Sequence, residues 1–356
     1  MLAYGVIDMT PRDEFIRAIY GEEVDTVPLY EGWINNPVVE RVTGQKPKDI
    51  FDTMRFYKML GLGGFPVWDS LPSETAIAEK GMVIDEWGRK WRFSPEGLGF
   101  WAGTTINTPE DLEHFTPPDP LSPERVKLFE NAVKEANGQI AVVAGLHEAF
   151  EIPSLMIGQE KFLLCLYKNP IFAQKLIDLS IKYNTELTKA AIDAGVDVVV
   201  SGDDYAFKDG PYVSPKLFER FFLPHIKNMA NLVKRRGIPF VKHCDGNIWR
   251  LLDYFVSCGA DGVHALEPQA GMDIVRVKQE YGDKICLMGN VDCTSLLPHG
   301  TADEVVREVR RCIDSAAPGG GYIMGSSNSI HNSVKVENFL TIVKETKRYG
   351  RYSTIG

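Results

Sequence analysis

The sequence predicts an α/β fold of the (β/α)8 barrel (TIM barrel) class, on three observations. Short apolar, β-branched runs recur along the chain, helical stretches separate them, and run after run ends in polar, chemically capable residues. Alternation of strand and helix implies a parallel sheet. Chemistry gathered at the carboxyl ends of strands is the pattern of barrel enzymes. The clearest case is Pro239–Asn247 (PFVKHCDGN), where a strand-like run delivers His243 and Asp245 and turns at once at Gly246. Alternate residues of an extended strand point the same way, so these two side chains can converge on one spot.

The elements follow in order. Thr10-Pro11 starts a helix that stops at Gly21, and Pro47–Leu60 has helical spacing, which makes an N-terminal helical extension around an early strand, Val27–Tyr30. A second strand, Phe65–Trp68, ends at Asp69. Met82–Phe93 holds MVIDEW and KWRF around Gly88-Arg89, the signature of a β-hairpin, which would be an insertion in the barrel. The Pro-rich Thr116–Pro123 reads as an extended connector. Helix 123–137 then leads to strand Ile140–Gly145, and helices 159–167 and 170–194 lead to Val196–Ser201. Helix 215–236 precedes Phe240–Lys242, helix 248–257 precedes Gly262–Leu266, helix 272–281 precedes Ile285–Met288, and helix 301–316 precedes Tyr322–Met324. That makes eight strands in one barrel domain spanning residues 1–356.

Composition bounds the function classes. Hydrophobic residues make up 44% and charged residues 24%, ordinary for a globular protein with a substantial core. A net charge of −9 disfavours nucleic acid as a partner, which calls for a basic face. No apolar stretch approaches the ~20 residues of a membrane span, and MLAYGVIDMTPRDEF does not read as a signal peptide. A cytoplasmic location is therefore expected. The six cysteines (165, 244, 258, 286, 293 and 312) form no CxxC pair and read as mostly buried small hydrophobes, with Cys286 and Cys293, which flank a strand end, the ones that stand out. No GxGxxG or GxxxxGK[ST] fingerprint follows a strand, which argues against a nucleotide cofactor.

His243 and Asp245 are candidate metal ligands, or a base and its orienting partner. A third ligand has to come from another strand end: Glu148 is the first choice, with Asp203 and Glu267 as alternatives. Asp203-Asp204-Tyr205 sets two carboxylates beside a phenol; since consecutive residues point apart, one acid is expected to face the pocket while the other caps the next element. His331, near the last strand, completes the catalytic candidates His243, Asp245, Asp203 and Tyr205. Candidate substrate contacts are Glu31, Asp69, His147, Glu148, Glu267, Asn290 and Asn328, with Trp33, Trp68 and Trp249 as aromatic walls. Asp292, in the turn after Met288, is as readily structural as functional.

Taken together these residues resemble the uroporphyrinogen decarboxylase superfamily, which comprises decarboxylases of haem synthesis and cobalamin-dependent methyltransferases. The similarity spans nearly the whole chain and is strongest from Gly195 to Asn338, in AGVDVVVSGDDYAFKDGPYVSP, VKHCDGNIWRLLDYFVSCGADGVHALEPQAGMD, YGDKICLMGNVDCTSLL and GGGYIMGSSNSIHNSVKVENF. It implies a (β/α)8 barrel with its site at the C-terminal face. Decarboxylases carry an arginine-rich N-terminal segment for the acidic side chains of the porphyrinogen. Here the first strand reads VPLYEGWINNP, with Glu31 and no arginine, although Asp69 resembles the decarboxylases' catalytic aspartate in position. The methyltransferase branch binds zinc through a His-x-Cys pair and a cysteine after the last strand. Here Asp245 stands at the second ligand position, and Ser326, Ser327 and Asn328 stand in place of the last cysteine.

Nitrogen and oxygen donors suit a divalent Lewis acid acting on oxygen better than the activation of a thiol. The resemblance thus implies a methyltransferase component of an O-demethylase. It would pass methyl from a methoxylated, aromatic donor to cobalamin on a corrinoid partner protein, with zinc as the expected ion and a homodimer as the expected assembly. The alternatives are porphyrinogen decarboxylation and a non-catalytic corrinoid-handling barrel.

Overall fold

Seven parallel strands run in the order expected of a barrel read stave by stave. The computed structural model describes residues 9–68, 82–94 and 99–352. Numbered along the chain, the strands are β1 (Gly64–Trp68), β2 (Val83–Ile84), β3 (Arg89–Phe93), β4 (Gly99–Thr104), β5 (Ala141–Leu146), β6 (Val198–Ser201), β7 (Ala206–Phe207), β8 (Gly210–Pro211), β9 (Phe240–His243), β10 (Gly262–His264), β11 (Cys286–Met288) and β12 (Tyr322–Ile323). The main sheet is β1-β5-β6-β9-β10-β11-β12.

The eighth stave is the segment around Leu29. Tyr30 N–H donates to Met324 O (2.9 Å) and Met324 N–H to Pro28 O (2.8 Å), while Gly63 N–H donates to Leu29 O (2.8 Å). These bonds join β12 to β1 and close the sheet. Pro28 has no N–H to give the ladder, which keeps this stave short.

Alternation along the strands sends Ala141 and Val143, Val198 and Val200, Val241, Cys286 and Met288 to one buried cluster inside the barrel. The helix Pro11–Ile19, started by Thr10 accepting from Asp13 N–H, joins that cluster through Phe15, Ala18 and Ile19. It therefore plugs one end of the barrel and leaves the chemistry at the other. The opposite strand faces meet the outer helices in a larger buried core.

Several elements differ from the sequence expectation, among them helices Asn36–Thr43 and Val336–Tyr349 and the strand pair β7-β8, which it does not contain. The insertion is a three-stranded antiparallel sheet, β2-β3-β4, because Gly99–Thr104 adds a strand to the expected hairpin. The expected helix 215–236 breaks into Pro215–Phe221 and Leu223–Lys234, because Pro224 cannot donate to the preceding turn and starts a new helix instead. A short helix, Glu151–Ile157, precedes Gln159–Lys168. The cysteines are free thiols, and all but Cys165 are buried. Among the described residues no helix is long and apolar enough to cross a membrane.

Glu31, expected at the substrate, instead fastens the closing stave to β12. It is buried, with Ser326 N–H at 3.0 Å from Oε1 and Ser326 Oγ at 2.5 Å from Oε2. Burial pushes its carboxyl up to about 8, so at neutral pH it keeps its proton, and Ser326 Oγ can pass its own hydrogen on to Asn328 O (3.3 Å). A carboxyl that titrates at about 8 when folded and about 4.5 when unfolded binds more protons in the native state between those values. Its contribution to stability is therefore full below the unfolded value and is lost as pH rises through that window. Glu31→Gln should flatten the fall of the urea-unfolding midpoint across that window and make the variant the more stable protein above it. An unchanged pH slope would show that Glu31 is ionised in the folded protein.

Candidate active site

The strand ends build two tiers at the open end of the barrel. In the upper tier β9 delivers His243, and the chain then turns so that Asp245 comes back beside it: His243 Nε2 lies 3.4 Å from Asp245 Oδ1. The turn depends on Gly246 (φ +83°), where a Cβ would meet the backbone of Phe207 at 2.7 Å. Asp204, after β6, lies 3.7 Å from His243 Nε2 and accepts Asp245 N–H (2.9 Å). One donor atom from each of Asp204, His243 and Asp245 falls within 4.8 Å of the others. Asn328 Nδ2 donates to both oxygens of Asp245 (2.9 Å each) and approaches Glu267 Oε1 (3.3 Å), while Gly246 N–H donates to Glu267 Oε2 (2.9 Å). Burial, with Asp204 and Glu267 nearby, pushes the Asp245 carboxyl well above the usual range.

His264, which the sequence pattern did not single out, is the register partner of His243, and the two Nδ1 atoms lie 2.8 Å apart. Burial lowers both imidazoles, His264 the more because His243 adds to it, so the pair shares one hydrogen between neutral rings. If His243 donates its Nδ1–H to His264, its Nε2 lone pair faces Asp204 and Asp245. In the sequence His264 sits inside the apolar GVHALE, which looks like core; only its place at a strand end could have marked it.

The lower tier is buried and holds residues expected in catalysis or ligation. Asp203 accepts the N–H groups of Ala149 and Phe150 (2.7 Å each) and Glu151 (3.2 Å), capping not the next element but the earlier helix Glu151–Ile157. Burial opposes its ionisation, but His147, Lys242 and the Phe150 N–H hold it well below the usual carboxylate range. Tyr205 Oη lies 3.0 Å from both Asp203 Oδ2 and Glu148 Oε2. The one phenol hydrogen is shared between the two carboxyls, and burial raises the Glu148 carboxyl against the pull of Lys242. Glu148 is thus a buried partner of Tyr205 and Lys242, and the third acid of the upper tier is Asp204. His147 places Nδ1 3.4 Å from Asp203 Oδ1; burial works against its charge, yet Asp203 raises it overall.

A cavity of about 370 Å³ opens beside the upper tier, lined by Tyr30, Trp33, Trp68, His147, Val200, His243, His264 and Asn328, and by Arg89, Trp91, Glu151 and Leu155. Trp68 fits because Gly145 and Gly202 leave room for its indole: a Cβ at Gly145 would overlap the ring, and one at Gly202 would meet it at 2.9 Å. Trp33 is half exposed and donates to Asn35 Oδ1 (2.6 Å). Arg89 and Trp91 come from the inserted sheet, where the sequence marks them only as part of a hairpin.

Other expected residues lie elsewhere. Trp249 donates to Gly271 O (3.0 Å) beneath the Arg276 guanidinium, 4.1 Å from its ring centre. Asn290 is buried and donates to the carbonyls of Leu266 and Met272 (3.0 Å each). His331 Nε2 contacts Cys293 O (3.0 Å) and its Nδ1 accepts Ser333 N–H (3.3 Å), a loop clasp. Asp292 organises its own turn by accepting from Thr294 and Ser295 N–H (2.8 and 3.1 Å). Asp69 lies outside the described residues.

A barrel with this order of site-bearing strand ends meets a family model, uroporphyrinogen decarboxylase (URO-D), which matches residues 10–349. The chain belongs to the URO-D family. Relatives of this URO-D protein carry different activities in their names. It is 24% identical to the methylated-thiol–coenzyme M methyltransferase of Methanosarcina mazei, over 96% of this chain and 90% of that one. It is 24% identical to a methylcobamide:CoM methyltransferase of Methanosarcina barkeri, over 58% and 61% of the two chains. It is 23% identical to the uroporphyrinogen decarboxylase of Bordetella petrii, over 73% of each. A solved methyltransferase from Methanosarcina mazei shares the fold, with a TM-score of 0.75, 21% identity and coverage of 96% and 99%.

The donor set of this URO-D protein fits a divalent cation. Asp204, Asp245 and Glu267 crowd together, and like charges so placed resist ionising unless a cation joins them. Ligand histidines commonly present one nitrogen to the metal and donate the other N–H to a fixed partner, the position His264 holds. The expected outcome is Zn²⁺ or Co²⁺ binding, followed by Co²⁺ absorption or titration calorimetry. His264→Ala should weaken that binding about 10- to 100-fold, His243→Ala and Asp204→Asn should weaken it further, and Glu148→Gln should leave it in place. Equal binding by wild type and His243→Ala would put the ion elsewhere.

Proposed function

We propose that this chain transfers a methyl group from a methoxylated aromatic compound to the cobalt of a corrinoid carried by a partner protein. The observation that carries this reading is the Asp204–His243–Asp245 cluster at the edge of a cavity walled by Tyr30, Trp33, Trp68 and Trp91. Two of the relatives named above are methyltransferases, which supports the reaction type.

The cluster differs from one built to activate a thiol. Its donors are nitrogen and oxygen, and the adjacent Cys244 is buried, accepting Tyr205 N–H at 3.2 Å, with burial pushing its thiol well up. Oxygen-rich sets favour harder ions and oxygen substrates. The decarboxylase reading has less support: among the described residues Arg89 is the single arginine lining the cavity, and a substrate with many carboxylates calls for several cations.

In such a displacement the methyl carbon leaves oxygen for cobalt, and the bonding pair stays on the aryl oxygen. A phenolate is a poor leaving group, its conjugate acid titrating near ~10, so the site must neutralise developing charge. A divalent ion on Asp204, His243 and Asp245 supplies Lewis acidity for that oxygen when bound. The protein's own residues do the rest. The indoles of Trp33, Trp68 and Trp91 hold the aromatic ring, and His264 fixes the orientation of His243. Glu151, whose carboxyl burial pushes up to about 8, lines the cavity and retains a proton at neutral pH.

Methylcobalamin formation from reduced cobalamin, with and without a cognate corrinoid protein, tests the proposal across methoxybenzoates, guaiacol, methylamines and methylated thiols. Product from the methoxyarenes is the expected result, with His243→Ala lowering the rate at least ~100-fold. Turnover confined to methylated thiols or methylamines would overturn the choice of donor, and an undiminished His243→Ala rate would remove the cluster from the chemistry.

A further inference from the structure

Arg89 is the first residue of β3, in the inserted sheet, and lines the cavity with its side chain only 16% exposed. Asp85 holds it by one edge. Asp85 Oδ2 receives Arg89 Nε (2.5 Å) and Trp91 Nε1 (2.8 Å), and Oδ1 receives the N–H groups of Trp87 and Arg89 (2.9 Å each). That carboxylate is fully used in fixing the turn. Among the described residues, the two terminal nitrogens of the guanidinium donate to no acceptor and pair with no further acid within 4 Å, although Glu151 in the same cavity is near enough to feel the Arg89 charge. A planar, permanently charged fork held by its Nε edge is a ready receptor for a carboxylate. Elsewhere in the lining, His243 and Asn328 lead to the acids Asp204, Asp245 and Glu267 behind them. A carboxylate is therefore drawn to Arg89, and Tyr30, Trp33, Trp68 and Trp91 wall the same cavity.

We propose that the inserted sheet selects an aromatic methyl ether bearing a carboxylate, with the carboxylate docked on the terminal nitrogens of Arg89 and the ether oxygen directed toward His243. This rests on the methyl-transfer reading and adds the substrate's second functional group. It also gives the insertion a purpose. Asp85, Trp87, Arg89 and Trp91 form one hydrogen-bonded turn that presents a cation and an indole to a site whose reacting end belongs to the barrel strands.

Two readouts separate carboxylate selection from methyl transfer itself. The first is binding, followed by quenching of tryptophan fluorescence with para-methoxybenzoate and its neutral partner para-methoxybenzamide. The wild-type protein should bind the benzoate about 10- to 100-fold more tightly, the range expected for a charge-assisted pair in a half-enclosed site. Arg89→Gln should reduce that preference to within about threefold, and Arg89→Lys should restore part of it as a point charge without a fork. The second is methyl transfer from the same two donors, where the ratio of kcat/KM should follow the binding ratio. Equal binding of benzoate and benzamide by the wild type, or an unchanged preference in a folded Arg89→Gln, would overturn the role of Arg89. Selective benzoate binding without methyl transfer from any methoxyarene would leave the carboxylate site standing and overturn the methyl-transfer reading.

Discussion

The upper tier of the site stands on one buried cation. Lys242 is fully buried in β9, and its Nζ reaches the carbonyl oxygens of Ser201 (3.0 Å), Asp203 (3.2 Å) and His243 (2.9 Å), with Glu148 Oε2 at 3.4 Å. A polar group at that depth is tolerated only when its hydrogen-bonding capacity is met. Here the partners are the ends of β6 and β9 and a carboxyl just beyond β5. Each cluster member is chemically close to an atom that Lys242 holds: Asp204 follows Asp203, and His243 and Asp245 flank the turn beyond its own strand. The lysine thus fixes the spacing of three strand ends before any ligand arrives.

That anchoring explains why so many acids occur together yet behave differently. Asp203 is surrounded by donors and held well below the usual carboxylate range, whereas burial raises Glu148, a short distance away, against the pull of Lys242. Above them, the side chain of Asp245 takes its amide hydrogen bonds from Asn328, set against two acidic neighbours. Asp203 is satisfied from within the protein, while Glu148 has one buried oxygen in contact with Tyr205 and the other without a hydrogen-bond partner. The upper cluster gathers three donor atoms within reach of one cation, and it is the tier that borders the cavity.

The barrel was legible because the staves are short apolar runs, several of them β-branched, that end in polar residues, and because helix starts such as Thr10-Pro11 and Thr301–Glu304 announce themselves by capping. The insertion's third strand was less so, since GFWAGT carries two glycines and little alternation. At the site, period-two spacing found His243 and Asp245 and foresaw that Asp203 and Asp204 would part ways. It could not say which of the two would face outward, because the answer depends on a helix start far earlier in the chain. His264 was hidden by apolar neighbours, and Arg89 by its place in a turn. Trp249, Asn290 and His331 followed strand ends as expected but were spent on backbone carbonyls, a choice set by tertiary contacts that spacing does not encode.

Strand ends and insertion divide the labour along physical lines. Reacting groups need fixed positions, and the barrel supplies them through parallel hydrogen-bond ladders and a buried lysine. Recognition of the remainder of a ligand can be carried by a smaller unit, provided that unit is internally rigid. The Asp85 turn meets that condition with four bonds to one carboxylate. Changes within this turn can therefore alter which molecules enter without disturbing the cluster at the strand ends. A shared barrel in a family whose members are named for methyl transfer and for decarboxylation is what such a separation of scaffold, reacting groups and selectivity permits.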